Sequence, residues 1–263
     1  MPLLAWIVLF TALGGALSAV AASAFLLVPS VVRQRAVPHL VSFATGALLG
    51  AALLGLLPHA VQAVGAESIH AIALTMLVGL LVFFVLEKLV LWRHCHHETC
   101  DGHVHEAQAS ANGRDAASAW LILIGDGFHN VIDGVLIAAA FLTDLHLGVV
   151  TAIAVFAHEI PQEVGDLAIL LHGGMSRAKA LTLNLLTSLS SVAGGIAAYF
   201  ALAPLEELLP YAVALAASSF LYIAVADLIP GLHRRIDPAS ALKQLIFILA
   251  GVAVILASHP LAH

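Results

Sequence analysis

The chain has 263 residues, of which 61% are hydrophobic and only 10% are charged. Soluble domains contain about 45–50% apolar and about 25% charged residues, so the composition excludes an ordinary soluble protein and indicates a membrane protein with several spans. The formal net charge is −6, and no basic patch with interleaved aromatic residues occurs, so we expect no binding of nucleic acid.

A membrane-spanning helix needs about 20 mostly apolar residues, and the sequence predicts eight such spans. They are residues 4–28, 39–64, 70–92, 118–142, 148–172, 180–203, 210–232 and 241–258. The first span is too long for the apolar region of a signal peptide and has no basic leader, so we expect it to be retained. The predicted architecture is an all-α integral membrane protein in which residues 1–263 form one transmembrane domain.

The basic residues predict how the chain is oriented in the membrane. All 10 Lys and Arg residues follow odd-numbered spans, and the loops on the other side carry only acidic residues and His. The basic residues are Arg33, Arg35, Lys88, Arg93, Arg114, Arg177, Lys179, Arg234, Arg235 and Lys243. Because short loops rich in Lys and Arg stay in the cytoplasm, we expect a multi-pass protein of the plasma (inner) membrane with both termini outside the cytoplasm.

The one long loop, residues 94–117, lies between the third and fourth spans and is expected on the cytoplasmic side. It contains five His residues together with Cys95 and Cys100. In a reducing compartment such a thiol pair is better suited to metal binding than to a disulfide. The spacing fits no fixed zinc-finger pattern. We interpret the loop as a weak metal buffer, and the alternative is a solvated linker that happens to be rich in His.

Four polar residues of the fourth span form a single helical face. They are Asp126, His129, Asn130 and Asp133, at positions i, i+3, i+4 and i+7, and the last three belong to the motif HNVIDG. A carboxylate at the centre of a membrane helix costs roughly 2.5–3.5 kcal/mol, so these groups need a compensating interaction.

The fifth span contains the motif HEIPQEVGD at residues 158–166, and its polar residues form two adjacent helical stripes. The stripes are His158 with Gln162, and Glu159 with Glu163 and Asp166. The two spans can therefore face each other across a polar seam. Pro161 removes the helical bond to the Ala157 carbonyl, and Gly134 and Gly165 are expected to allow close helix approach.

Imidazole, carboxylate and amide groups together favour a borderline divalent cation such as zinc, and the excess of oxygen also accepts iron, manganese or cadmium. A buried polar network that holds the helices together is the structural alternative, but hydrogen bonds of about 1 kcal/mol each do not offset several carboxylates. Two functional alternatives stay open. The first is an intramembrane zinc metallohydrolase, because His158, Glu159 and Gln162 differ from the HExxH signature only by the missing second His. The second is a metal-sensing receptor that transports no ions.

HNVIDG followed by HEIPQEVGD resembles the paired signatures of the ZIP (Zrt/Irt-like) metal transporters, in the branch with HNxxDG and HEIPxE motifs. The likeness extends to Glu87 with Lys88 at the end of the third span, and to Phe220–Ala224 with Asp227 in the seventh. The resemblance implies eight helices, with two inverted three-helix repeats around the central fourth and fifth spans, and transport of divalent cations into the cytoplasm. It implies neither an enzymatic activity nor an organic cofactor.

The resemblance also implies the metal ligands. They are His129, Asn130 and Asp133 from the fourth span and His158, Glu159 and Gln162 from the fifth, with Glu163 and Asp166 close by. The chain departs from the family pattern in two places. Gln162 occupies a position where relatives often have His or Glu. In the second span, Ala51 and Gly55 occupy positions where relatives often have Asp and His. We expect metal ions and the lipid bilayer as partners, with a homodimer as a further expectation.

The resemblance implies a site for two metal ions at mid-membrane, and two details of the sequence bear on the repeats and on the second ion. The stretch Leu56–His59 is similar to Leu228–Gly231 in the corresponding span of the second triplet, as inverted repeats require. In the sixth span, Asn184 and Ser188 lie at i and i+4. They either complete the shell of a second metal ion or hydrogen-bond a neighbouring helix.

Overall fold

The structure is a computed structural model that describes residues 2–65, 68–94, 114–233 and 237–258. Within these ranges all regular structure is helical and there is no strand, so the prediction of an all-α protein is confirmed. Residues 95–113, and with them Cys95, Cys100 and most of the His-rich loop, lie outside the described residues. The interpretation of that loop as a metal buffer therefore stays a prediction.

The helices follow the predicted spans closely. They are α1 (Leu3–Leu26), α2 (Ser30–Gly50), α3 (Leu57–Val64), α4 (Ile69–His94), α5 (Arg114–Thr143), α6 (Leu145–His172), α7 (Arg177–Ser188), α8 (Ser190–Leu202), α9 (Leu209–Tyr222), α10 (Ile229–Leu232) and α11 (Pro238–Ser258). The second span is longer than predicted, because its helix begins at Ser30. The sixth span is divided into α7 and α8 by a turn at Leu189.

Seven helical segments of the described residues are long and apolar enough to cross a membrane, by length and composition. The helix α6 is not one of them, although its 28 residues exceed the roughly 20 that a bilayer requires. Its middle carries His158, Glu159 and Gln162, which interrupt an otherwise apolar sequence. The long helix that is not apolar enough by this criterion is therefore the one that carries the second motif.

Two π-helical turns of six residues occupy corresponding places in the two halves of the chain. Ala51–Leu56 joins α2 to α3, and Ile223–Leu228 joins α9 to α10. In both cases a proline, Pro58 or Pro230, is the second residue of the helix that follows. A proline has no N–H and its ring crowds the carbonyl four residues earlier, so the widened turn accommodates it.

The helix contacts have the same two-fold pattern as the π-helical turns. In the outer part of the molecule α4 packs against α9, and α11 packs against α2. Nearer the centre α1 packs against α6, and α8 packs against α5. If the first three spans are exchanged in order with the last three, and α5 is exchanged with α6, each pair is converted into another pair. The pair α4 and α9 becomes α11 and α2, and the pair α1 and α6 becomes α8 and α5. The second triplet begins at the sixth span, after the chain has crossed the bilayer five times, so the two triplets start on opposite sides and the repeat is inverted.

The packing around the central pair depends on one of the two glycines that the sequence indicated. A Cβ at Gly134 would lie 1.9 Å from the Ser191 carbonyl oxygen, so α5 and α8 are in backbone contact there. A Cβ at Gly165 would meet nothing within 4 Å. The expectation of close approach is therefore confirmed for Gly134 and wrong for Gly165, since that face of α6 meets no neighbouring helix closely.

Candidate metal centre

Four of the predicted ligands converge between α5 and α6. His129 and Asp133 lie one turn apart on α5, and His158 and Glu159 are consecutive on α6. One ligand atom from each of them lies within 4.8 Å of the other three. Because α5 and α6 pack directly against each other, the two helical faces meet at this point. The polar seam that the spacing predicts between the two spans is therefore present.

The distances between these ligand atoms are close to the edges of a tetrahedron. Around a four-coordinate zinc with bonds of about 2.0–2.1 Å, neighbouring ligand atoms lie about 3.3 Å apart. Nε2 of His129 lies 3.2 Å from Nε2 of His158 and 3.4 Å from Oε1 of Glu159. Oδ2 of Asp133 lies 3.3 Å from Nε2 of His158 and 3.7 Å from Nε2 of His129. Two imidazoles and two carboxylates are a donor set that zinc accepts.

The carboxylates of this group are buried in a way that calls for a positive charge. Asp133 and Glu159 are both 1% exposed, and none of their four carboxylate oxygens has a hydrogen-bond partner among the described residues. Their contacts with imidazole nitrogens, at 3.3 to 3.8 Å, are longer than ordinary hydrogen bonds. Burying a charge without partners is costly. A divalent cation between the four side chains would remove that cost.

His158 is oriented by its own helix. Its Nδ1 lies 3.1 Å from the carbonyl oxygen of Ala154, one turn earlier. A proton on Nδ1 donates to this carbonyl, which leaves the lone pair of Nε2 directed at the group of ligands. The ring also makes an edge contact with Phe220 at 6.3 Å between centroids. His129, by contrast, keeps 26% of its side chain exposed, so the group is open on that side.

Asn130 and Gln162, predicted as ligands, meet at a third residue. The amide Nδ2 of Asn130 donates to Oδ1 of Asp126 at 3.0 Å, and Nε2 of Gln162 lies 3.4 Å from the same oxygen. Asp126 is 5% exposed and so connects α5 to α6 inside the protein. Both amides therefore present their nitrogen atoms, and not their oxygen atoms, to Asp126. The sequence placed Asp126 on the polar face, but did not predict these contacts.

Glu163 is turned away from the four-ligand group toward α7. Its carboxylate accepts hydrogen bonds from the amide of Asn184 and the hydroxyl of Ser188, and all three residues are buried. Asn184 and Ser188 thus make the predicted hydrogen bonds to a neighbouring helix, and their role as ligands of a second metal ion stays a prediction. Asp166 is half-buried, and among the described residues no hydrogen bond or ion pair joins it to the four ligands.

One further polar contact connects α4 to the seventh span. The hydroxyl of Tyr222, the last residue of α9, donates to the carboxylate of Glu87. The sequence indicated both residues only through family resemblance, and nothing in their spacing predicts the bond. Glu87 and Tyr222 are far apart in the chain, and the packing of α4 against α9 brings them together.

The geometry weighs against the hydrolase alternative. A zinc site of the HExxH type takes its ligands from positions i and i+4 of one helix. Here the residue four after His158 is Gln162, which contacts Asp126, and the group of metal-type ligands is completed by His129 and Asp133 of α5. The described residues of the second span add no His, Cys, Asp or Glu to this group, in agreement with Ala51 and Gly55 at the positions where relatives often have Asp and His.

Comparison with known proteins gives one consistent family. Residues 92–259 match the family described as ZIP Zinc transporter. The chain is similar to zinc transporter ZIP13 of Pongo abelii, with 32% identity over 82% of this chain and 65% of that protein. It is 30% identical to zinc transporter ZIP13 of Gallus gallus over 86% of this chain and 75% of that protein.

Other relatives are matched over a smaller part of their length. Zinc transporter foi of Drosophila melanogaster is 40% identical over 54% of this chain and 20% of that protein. Human zinc transporter ZIP4 is 39% identical over 52% of this chain and 20% of that protein. The chain thus spans less than two thirds of several relatives, and about a fifth of these two.

Proposed function

Because this chain belongs to the ZIP zinc transporter family, we propose that it carries divalent metal ions, zinc first among them, across a membrane into the cytoplasm. The ion binds between α5 and α6, where His129, Asp133, His158 and Glu159 are its ligands. Iron, manganese and cadmium are further candidate substrates, since a mixed nitrogen and oxygen donor set does not discriminate sharply among them.

The observation that carries the proposal is the arrangement of the four ligand atoms. The five separations that involve an imidazole nitrogen are 3.2 to 3.8 Å, close to those around a tetrahedral divalent ion. The two carboxylates are buried in a span where each is expensive, and the described residues offer them no Lys or Arg. A polar network that only held helices together would satisfy these oxygens with hydrogen bonds.

The neighbouring polar residues give the ion a route to the cytoplasm. In the proposed orientation α5 runs outward and α6 runs inward, so Asp126, Glu163 and Asp166 all lie on the cytoplasmic side of the four ligands. Asn130 and Gln162 add polar amide groups beside these carboxylates, since both contact Asp126. An ion that leaves the buried group therefore meets further oxygen ligands, which a weak multi-site pathway requires.

The orientation and the membrane are part of the same proposal. Every Lys and Arg residue follows an odd-numbered span, so the positive-inside rule puts both termini outside the cytoplasm. With that orientation, an ion that enters the four-ligand group from outside meets Asp126, Glu163 and Asp166 on its way to the cytoplasm, and the gradient of the ion drives transport inward. The plasma (inner) membrane is the location that we propose for the chain.

The decisive experiment is metal uptake by proteoliposomes that contain the purified chain. Zinc, iron, manganese, cadmium, cobalt and nickel are offered singly and in competition, with empty liposomes as the control. We expect saturable zinc uptake that competing divalent ions inhibit. Protein that binds zinc in detergent but gives no uptake above empty liposomes would contradict transport. A parallel assay for metal-dependent proteolysis tests the hydrolase alternative.

A further inference from the structure

We propose that Gly15, on α1, is a positioning residue for metal transport, because it sets the place of Ser188 and, through Ser188, that of the Glu163 carboxylate. The inference rests on the proposed function. Gly15 is far from the two motifs in sequence and carries no functional group. Its role follows from the contact between α1 and the end of α7.

The contact at Gly15 is between backbones. A Cβ on Gly15 would lie 2.3 Å from the carbonyl oxygen of Ser188 and 2.8 Å from its carbonyl carbon. Both separations are shorter than any van der Waals contact, and the obstacle is main chain, so no side-chain rotation relieves it. Any residue larger than glycine must therefore push α1 and Ser188 apart.

Ser188 lies at the break in the sixth span, where the backbone has fewer helical bonds to resist such a push. In an unbroken α-helix the amide of Val192 would donate to the Ser188 carbonyl. Here it donates to the carbonyl of Leu189 at 3.1 Å. The Ser188 carbonyl accepts instead from the Ser191 hydroxyl at 2.9 Å, and the same hydroxyl lies 3.2 Å from the Thr11 carbonyl of α1. The break is thus attached to α1 at Thr11, one turn before Gly15.

The side chain of Ser188 connects this break to the ion pathway. Its hydroxyl donates to the Glu163 carboxylate, which also accepts from Asn184 on the same helix. Ser188 and Glu163 are both fully buried, so no water replaces the hydroxyl if it moves away. A shift of the Ser188 backbone is therefore transmitted to a carboxylate on the proposed route of the ion.

The neighbouring glycine provides a matched control. Gly14 is also buried on α1, but a Cβ there would meet nothing within 4 Å. Gly14→Ala and Gly15→Ala gain the same helix propensity, so their difference isolates the contact with Ser188. We expect Gly15→Ala to raise the half-saturating zinc concentration for uptake about tenfold, the scale seen when a partner of a metal ligand is lost. Gly14→Ala should stay within about twofold of the parent. Equal values for the two variants would overturn the inference.

A second measurement separates positioning of Glu163 from a general structural effect. Both alanine variants are also made in the Glu163→Gln background, which retains the size of the side chain and removes its charge. If Gly15 acts through the carboxylate, Gly15→Ala changes the half-saturating concentration in this background by less than about twofold. A tenfold change that persists there shows that the effect does not pass through Glu163 and contradicts the proposal.

Two controls keep the outcome interpretable. Each variant is first checked for a monodisperse elution profile in detergent, and if Gly15→Ala is not folded, Ser188→Ala takes its place. Removal of this hydroxyl should weaken zinc uptake in the same direction, and uptake equal to that of the parent would overturn the inference. Absence of uptake by the parent chain would contradict the proposed function itself, which is a different result from equal uptake by Gly14→Ala and Gly15→Ala.

Discussion

Oδ2 of Asp133 lies 3.3 Å from Nε2 of His158, although the two residues belong to different helices. Both side chains are buried, at 1% and 2% exposure. His158 is fixed by the Ala154 carbonyl, and Asp133 by the backbone contact of the adjacent Gly134 with α8. This pair therefore holds two ligands in place before any ion arrives, and a pre-formed site has less conformational entropy to lose on binding.

Asp133→Asn should lower zinc uptake at least tenfold. The amide keeps the shape of the carboxylate, but a neutral oxygen binds zinc less strongly than a charged one. Expression and folding should be unaffected, since the change removes a buried charge from a membrane helix. The measurement is initial zinc uptake by proteoliposomes at several zinc concentrations.

The matched control for this variant is Asp144→Asn. Asp144 caps α6, where its Oδ1 accepts from the amide of Leu147 at 2.9 Å, and asparagine caps helices equally well. Uptake by Asp144→Asn should equal that of the parent. Parental uptake by Asp133→Asn as well would remove α5 from the pathway.

The sequence predicts the metal centre only in part, because helical periodicity defines faces but not their neighbours. The four polar residues of α5 share one face, and that face does meet α6. On α6, the spacing of Glu159 and Glu163 predicts that both lie on one stripe of the helix surface. In the structure Glu159 contacts α5, whereas Glu163 contacts α7. A stripe at i and i+4 covers a wide angle, so the packing of the neighbouring helices decides which partner each residue meets.

The repeats show the same limit at the level of the fold. The similar stretches around Pro58 and Pro230 predict that the two spans correspond, and the structure agrees. The π-helical turns at Ala51–Leu56 and Ile223–Leu228 are not predictable from these residues, because a proline is equally compatible with a kink. The division of the sixth span at Leu189 was likewise missed, since no Pro or Gly marks it.

Gln162→His should tighten zinc binding and shift the preference toward zinc over manganese. Gln162 is one turn beyond His158, and its amide contacts Asp126 between the two helices. An imidazole there offers a stronger zinc ligand than an amide oxygen. Turnover should fall, because an ion that is held more firmly leaves more slowly. The measurement is competitive uptake of zinc and manganese, together with an equilibrium zinc titration in detergent.

Gln34→His is the control for an imidazole added elsewhere, since Gln34 is exposed on α2. It should leave both affinity and preference as in the parent. If Gln162→His behaves in the same way, Gln162 does not contact the ion. The contribution of α6 would then have to come from His158, Glu159 and Glu163.

Gly134→Ala and Gly165→Ala should have opposite effects on stability, although both are glycines of the central helices. Alanine at 134 would place its Cβ 1.9 Å from the Ser191 carbonyl oxygen, so α5 and α8 must separate. We expect a loss of several kcal/mol, as for other severe overpacking changes. Alanine at 165 meets open space and gains up to about 1 kcal/mol of helix propensity.

Thermal unfolding in detergent, followed by the loss of a monodisperse elution peak, compares the two glycine variants. The midpoint should fall for Gly134→Ala and stay equal or rise for Gly165→Ala. Equal midpoints would show that α5 and α8 are not in backbone contact at this position. Since Gly134 follows Asp133 directly, zinc uptake should fall together with stability in the first variant only.

Cysteine labelling tests the proposed orientation at the two ends of α6. His146, near its start, and Ala178, in the helix that follows it, are both exposed and should lie on opposite sides of the membrane. Each is replaced by cysteine in a background in which Cys95 and Cys100 are serine. Because Arg177 and Lys179 flank position 178, the positive-inside rule puts it in the cytoplasm. An impermeant thiol reagent added to intact cells should therefore label His146→Cys and leave Ala178→Cys unlabelled until the membrane is permeabilised. The reverse pattern would invert the topology, and with it the direction in which Asp126, Glu163 and Asp166 extend the route of the ion.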